Sequence, residues 1–119
     1  WEAKLAELAA AHMPPGIIEH ACIVDVLAVF PRPKRMLGAR YASGLLWCAT
    51  GPDRDNLDKA VLDALKPFWR DDRLVVLGAI LRCYAERNGR ARVVVRVRTQ
   101  LPEPEVVACR LGLVATEHP

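Results

Sequence analysis

Apolar and polar positions follow two rhythms along this chain, and each predicts an element. From Trp1 to His12 the residues Trp1, Leu5 and Leu8 recur at helical spacing with alanines between them, which predicts an amphipathic helix stopped by Pro14-Pro15-Gly16. From about Ile18 to Phe30 the run is β-branched and apolar on both faces, which predicts a strand in the middle of a sheet. Asp25 interrupts that run, either as a rim position reaching water or as an extra acid near a site. Pro31 ends the strand, residues 31–44 read as a long loop, and Leu45 to Thr50 as a short strand. From about Asp55 to Lys66, Leu57, Ala60, Val61, Ala64 and Leu65 form one apolar stripe, which predicts a helix closed by Pro67. Leu74 to Tyr84 reads as a strand with a bulge at Gly78, Asn88-Gly89 as a hairpin turn, and Ala91 to Thr99 as its partner strand. That last strand sets Val93, Val95 and Val97 against Arg92, Arg96 and Arg98, so one face is apolar and the other basic. The segment 102–119, broken by Pro102 and Pro104, reads as an edge strand or a loose tail.

At 119 residues the chain is one domain that can bury a core without disulfides. No run of 18 apolar residues marks a membrane span, and the amino end lacks a signal-peptide layout. The first residue is Trp1 rather than Met, which reads as a trimmed copy lacking an amino-terminal element. Cys22, Cys48, Cys83 and Cys109 are too widely spaced for a zinc pattern; each lies among apolar neighbours and reads as a small buried hydrophobe in a reducing, cytoplasmic compartment.

Charge changes the picture more. The net charge of +3 is a mild bias, but no acid lies between Asp25 and Asp53, while Arg32, Lys34, Arg35 and Arg40 all do. Beyond that basic stretch, Gly51 to Val76 holds six of the seven aspartates. Asp53 and Asp55 stand two apart at a helix entrance, Asp71 and Asp72 form a second set, and Lys59 lies one turn beyond Asp55. Crowded carboxylates repel one another, and a divalent cation relieves the repulsion. Oxygen donors of this kind suit Mg²⁺ or Mn²⁺, and a neighbouring basic stretch suits phosphate. Other readings stay open here. A calcium-binding EF-hand loop fails, because Asp58 and Ala64 stand where it needs Gly and Glu. A plain capped helix with Asp55–Lys59–Asp63 ion pairs explains the same residues without chemistry.

The segments PDRDNLDKAVLDAL and WRDDRLVV together resemble the RusA-type Holliday junction resolvases, small endodeoxyribonucleases of bacteria and their prophages. With the elements above, the resemblance implies a single α+β domain over 1–119, a mixed β-sheet packed against two helices. It implies that Asp53, Asp55 and Asp72 hold Mg²⁺, for which Mn²⁺ can substitute, with Asp71 as a neighbouring acid and Lys59 as the essential lysine. It implies a homodimer that makes paired nicks across four-way DNA in recombination and repair. Arg32, Lys34, Arg35, Arg40 and Arg82, with the strand arginines, are the expected DNA contacts. The alternative is a weak or inactive module that binds branched DNA. Two departures stand out: Arg82 occupies a position where the family usually has lysine, and the link Lys66-Pro67-Phe68 is short. That link must return Asp72 to Asp53 and Asp55 for the site to close.

Overall fold

The structure is a computed structural model that describes residues 2–13, 16–51 and 53–113. Among these, three α-helices and five strands form in the order α1 (Glu2–His12), β1 (Cys22–Phe30), β2 (Leu46–Trp47), α2 (Arg54–Leu65), β3 (Val75–Leu77), β4 (Ile80–Tyr84), β5 (Arg92–Arg98) and α3 (Pro104–Arg110). Trp1 and the Pro14-Pro15 stop lie outside the described residues.

β1 is the centre, as its two apolar faces require. β3 and β4 run parallel to it, end to end along one side, and β5 runs antiparallel along the other. β2 extends the sheet beyond β4. This is a mixed five-stranded sheet in a single α+β domain. Alternation along β1 sends Cys22, Val24 and Val26 to one face, where Val61, Leu65 and Trp69 meet them as the core. Leu5 and Ala9 of α1 and Val93, Val95 and Val97 of β5 close around that cluster. The apolar stripe of α2 is buried as expected: Val61 is 1% and Leu65 2% exposed. The opposite face carries Asp25, Leu27, Leu81, Val94 and Arg96, in rows set by the strand register.

Three expectations are corrected. The Leu74–Tyr84 strand divides into β3 and β4 at Gly78-Ala79. A Cβ on Gly78 would stand 1.8 Å from the Val24 carbonyl oxygen, so only glycine lets the two backbones approach this closely. Asn88-Gly89 turns the chain but makes no hairpin, because β4 and β5 lie on opposite sides of β1. The connection crosses the end of β1, where the Ala85 amide donates to Phe30, and a Glu86–Arg92 ion pair ties its two ends. The tail from Pro104 forms the helix α3 rather than a strand, since Pro104 at its first turn needs no amide partner.

Asp25 is a structural residue at the β3–β4 break. Its carboxylate accepts the Ala79 amide at 2.9 Å and pairs with Arg96 at 3.1 Å and Arg98 at 2.9 Å. Partial burial pushes its pKa up, but the Ala79 amide and the two arginines outweigh that and hold it below the usual aspartate value. A carboxyl depressed in the folded state stabilises the fold above its unfolded pKa, about 3.9, and loses that contribution as pH falls through its folded value. Urea midpoints measured from pH 6 downward should therefore drop more steeply for the parent than for Asp25→Asn. Equal slopes would show that this clamp does not contribute.

Candidate active site

Residues 48–50, which follow β2, are anchored to β4. The Cys48 amide donates to the Arg82 carbonyl. The Thr50 hydroxyl meets the Tyr84 hydroxyl at 2.5 Å, and Arg82 Nη1 donates to the Thr50 carbonyl at 3.0 Å. Gly51, at a φ of +90°, then turns the chain toward Asp53. Arg82 thus braces the loop that follows β2. Thr50 and Tyr84 were not legible as site residues, because their pairing joins positions 34 apart in the chain.

Asp53 is the residue that caps α2, yet its side chain makes no cap hydrogen bond. Asp53 and Asp55 are both exposed, and neither carboxylate has a hydrogen-bond or ion-pair partner among the described residues. Both lie in the first turn of a helix whose apolar face is locked on the sheet, which is a rigid mount. Lys59, exposed one turn further on, makes no ion pair with Asp55 or Asp63 among the described residues. The plain reading of an ion-paired capped helix is therefore not the arrangement found.

The second acid set sits elsewhere. After α2, a 3₁₀ turn (Lys66–Phe68) leads to Trp69, which is 3% exposed in the core. Trp69 Nε1 donates to Asp72 Oδ1 at 2.8 Å. The Phe68 carbonyl and the Arg70 amide bond to Ile18, fixing this corner just ahead of β1. Asp72 is thus held by Trp69, and three residues on Val75, Val76 and Leu77 line a pocket with Arg54 and Asp58 of α2. Asp71 accepts from the Arg73 backbone and side chain, and the Arg73 guanidinium holds its pKa below the usual value.

Among the described residues, no three acids, histidines or cysteines gather closely enough to hold a metal ion. Asp53, Asp55, Asp71 and Asp72 therefore form no such group among the described residues. The Lys66–Phe68 turn sets Trp69 just after α2, and Trp69 in turn holds Asp72. What one chain offers a cation is the Asp53–Asp55 pair. That donor set fits Mg²⁺, which is held by one or two carboxylates and completes its shell with water and phosphate oxygens.

The basic residues divide as well. Arg32 donates to the carbonyls of Ala85, Met36, Ala42 and Gly44 and so organises the 31–44 loop. Arg87, unremarked in the sequence, pins the same loop through Tyr41 and Gly38 carbonyls. Arg40 lies over the Tyr41 ring at 5.0 Å. Lys34 and Arg35, in a 3₁₀ turn, are exposed with no partner among the described residues. Three cysteines are buried as expected, while Cys109 on α3 is exposed, a correction that follows from the tail being a short surface helix.

Two unpartnered carboxylates and a lysine on a rigid helix start, on a domain with exposed basic residues, are residue types that metal-assisted phosphodiester chemistry uses. Residues 1–98 match the family model described as Endodeoxyribonuclease RusA, and the chain belongs to that family of endodeoxyribonucleases. The tail from residue 99 onward, including α3, lies outside the match. A protein of Bacillus subtilis (strain 168), printed as "Uncharacterized protein YqaN", is 34% identical over 98 residues, covering 77% of this chain and 68% of its own length. No solved structure matches. Among the described residues no helix is long and apolar enough to cross a membrane.

Proposed function

We propose that this chain, of bacterial or prophage origin, is a metal-dependent endonuclease that resolves four-way (Holliday) DNA junctions by paired phosphodiester hydrolysis, acting as a homodimer in the bacterial cytoplasm during recombination and repair. Membership of the endodeoxyribonuclease family supports the reaction class. The observation that carries the site is the pair of unpartnered carboxylates at the start of α2, with Asp53 declining its own cap bond. Asp53 and Asp55 would hold Mg²⁺, or Mn²⁺ in its place. A bound ion of this kind lowers the pKa of water and offsets phosphate charge. Lys59 approaches the same phosphate from one turn along the helix and stabilises the negative charge that develops there. Lys34, Arg35 and Arg40 hold the backbone by charge, so the shape of the junction rather than base sequence sets the target.

A second reading is favoured by one observation: among the described residues no three acids, histidines or cysteines gather closely enough to hold a metal ion. On that reading the chain is a module that binds branched DNA without cutting it. Incubation of a synthetic four-way junction and a linear duplex of the same sequence, with Mg²⁺ or with a chelator, separates the two. Metal-dependent cutting confined to the junction supports the nuclease. Junction binding without cutting supports the module. Absence of junction binding at low salt would sink both. Within either reading, Arg35→Ala should weaken binding to every DNA and reduce the slope of log affinity against log salt by about one unit.

A further inference from the structure

One face of α2 changes character along its length. Arg54, Asp58, Val61 and Leu65 recur at i, i+4, i+7 and i+11, so they share a face of the helix. In the carboxyl half of that face, Val61 and Leu65 are buried in the core. The amino half carries two charges instead, and there the helix does not close on the sheet. A cleft of about 330 Å³ opens between Arg54 and Asp58 on one side and Val24, Val75, Leu77 and Ile80 on the other. Its size falls at the small end of ligand sites, roughly 300–1,000 Å³.

Arg54 and Asp58 stand one turn apart, the spacing at which opposite charges pair along a helix, although with the cation on the amino side, the weaker order. Neither has a hydrogen bond or ion pair among the described residues. A forked donor and an acceptor are therefore presented side by side to whatever enters the cleft. Asp58, half-buried, repels a phosphate, and the aliphatic wall favours a flat, weakly hydrated part of a ligand. In a DNA strand that part is a base. A base within a duplex is stacked and paired, so the cleft suits an unpaired one.

We propose that the cleft holds one unpaired guanine of the DNA strand being cut. A carboxylate only accepts, and guanine alone among the DNA bases presents two adjacent donors, N1–H and N2–H, to its two oxygens. The neighbouring O6 and N7 are both acceptors, which suit the fork of an arginine. Asp58 takes the first pair and Arg54 the second. Adenine and cytosine offer the carboxylate one amino group each, and thymine a single N–H between two carbonyls. Arg54 lies between Asp53 and Asp55 in the first turn, so the cleft adjoins the proposed cation site, and its guanine lies next to the phosphate that is cut. That last placement rests on the nuclease reading. Junction shape still selects the DNA, and the cleft sets which base lies against α2.

Amide spectra of isotope-labelled protein, titrated in a chelator with single-stranded d(TGT), d(TAT), d(TCT) and d(TTT), test this. The amides of Val76, Leu77 and Gly78 should shift, and d(TGT) should bind at least about 10-fold tighter than the other three. Asp58→Asn should cut that preference below about threefold, while d(TTT) binds as well as before or better because a repelling charge is gone. Equal binding of the four trimers, cleft amides that do not move, or a guanine preference that survives Asp58→Asn overturns the proposal. The comparison of trimers on the parent decides even if the variant fails to fold. No cutting is read in this titration. A protein that cuts junctions with Mg²⁺ but shows no guanine preference overturns the cleft alone, and a guanine preference without cutting overturns the nuclease reading alone.

Discussion

Asp55→Asn should reduce four-way junction cleavage at least about 100-fold while junction affinity holds or rises. The asparagine keeps the size of the side chain but removes the negative charge that a hard divalent cation needs, and even outlying partners of metal ligands cost about 10–100-fold when lost. Affinity should survive because the exposed carboxylate of Asp55 repels phosphate when no cation lies between them. The fold should survive because Asp55 has no partner to lose among the described residues. The α2 stripe that holds the helix on the sheet is Leu57, Val61, Ala64 and Leu65, all on another side of the helix. Cleavage kinetics and a gel-shift titration check the two halves separately. A mutant that nicks at the parent rate removes Asp55 from the site.

Gly78→Ala should destabilise the fold by about 3 kcal/mol or more, lowering the thermal midpoint by at least about 10 °C. The added methyl would sit 1.8 Å from the Val24 carbonyl oxygen and 2.9 Å from its carbon, both backbone atoms of the central strand. No side-chain rotation can relieve that contact, so β3 or β4 must move. Ala79 beside it donates to Asp25 and accepts from the Val26 amide, so the movement would also loosen both of those bonds. Thermal unfolding followed by circular dichroism measures this directly. A midpoint within about 2 °C of the parent would mean that the strands part here at little cost.

The elements were legible where one local rhythm governed them. The stripe of α2 and the two apolar faces of β1 follow from single segments, and both took the predicted places. What escaped the sequence depends on partners far away in the chain. Asn88-Gly89 has hairpin chemistry, but β1 takes the place between β4 and β5 because its two apolar faces need neighbours on both sides. The bonds of Arg32 and Arg82 to loop carbonyls escaped the sequence, because an arginine reads the same whether its guanidinium faces solvent or a carbonyl. The candidate site divided in the same way. Asp53, Asp55 and Lys59 share one helix, so their proximity follows from local spacing. The return of Asp72 depended on the path of Lys66–Phe68, and the anchoring of Trp69 on Ile18 directs that path along the corner before β1. The Trp69–Asp72 bond, spanning three residues, gives a physical reason for a tryptophan three positions ahead of the second acid, since the indole fixes one of its oxygens.

The central claim is that this chain cuts four-way DNA through a cation held at the start of α2. Its most direct test is to map the cuts on a four-way junction labelled in turn on each strand, with metal-free protein to which Mg²⁺ is then added. The account predicts no cutting before Mg²⁺, then nicks paired across the junction, with ends that a DNA ligase reseals. Cutting without added metal, equal cutting of a linear duplex, or no cutting of a junction the protein demonstrably binds would contradict it.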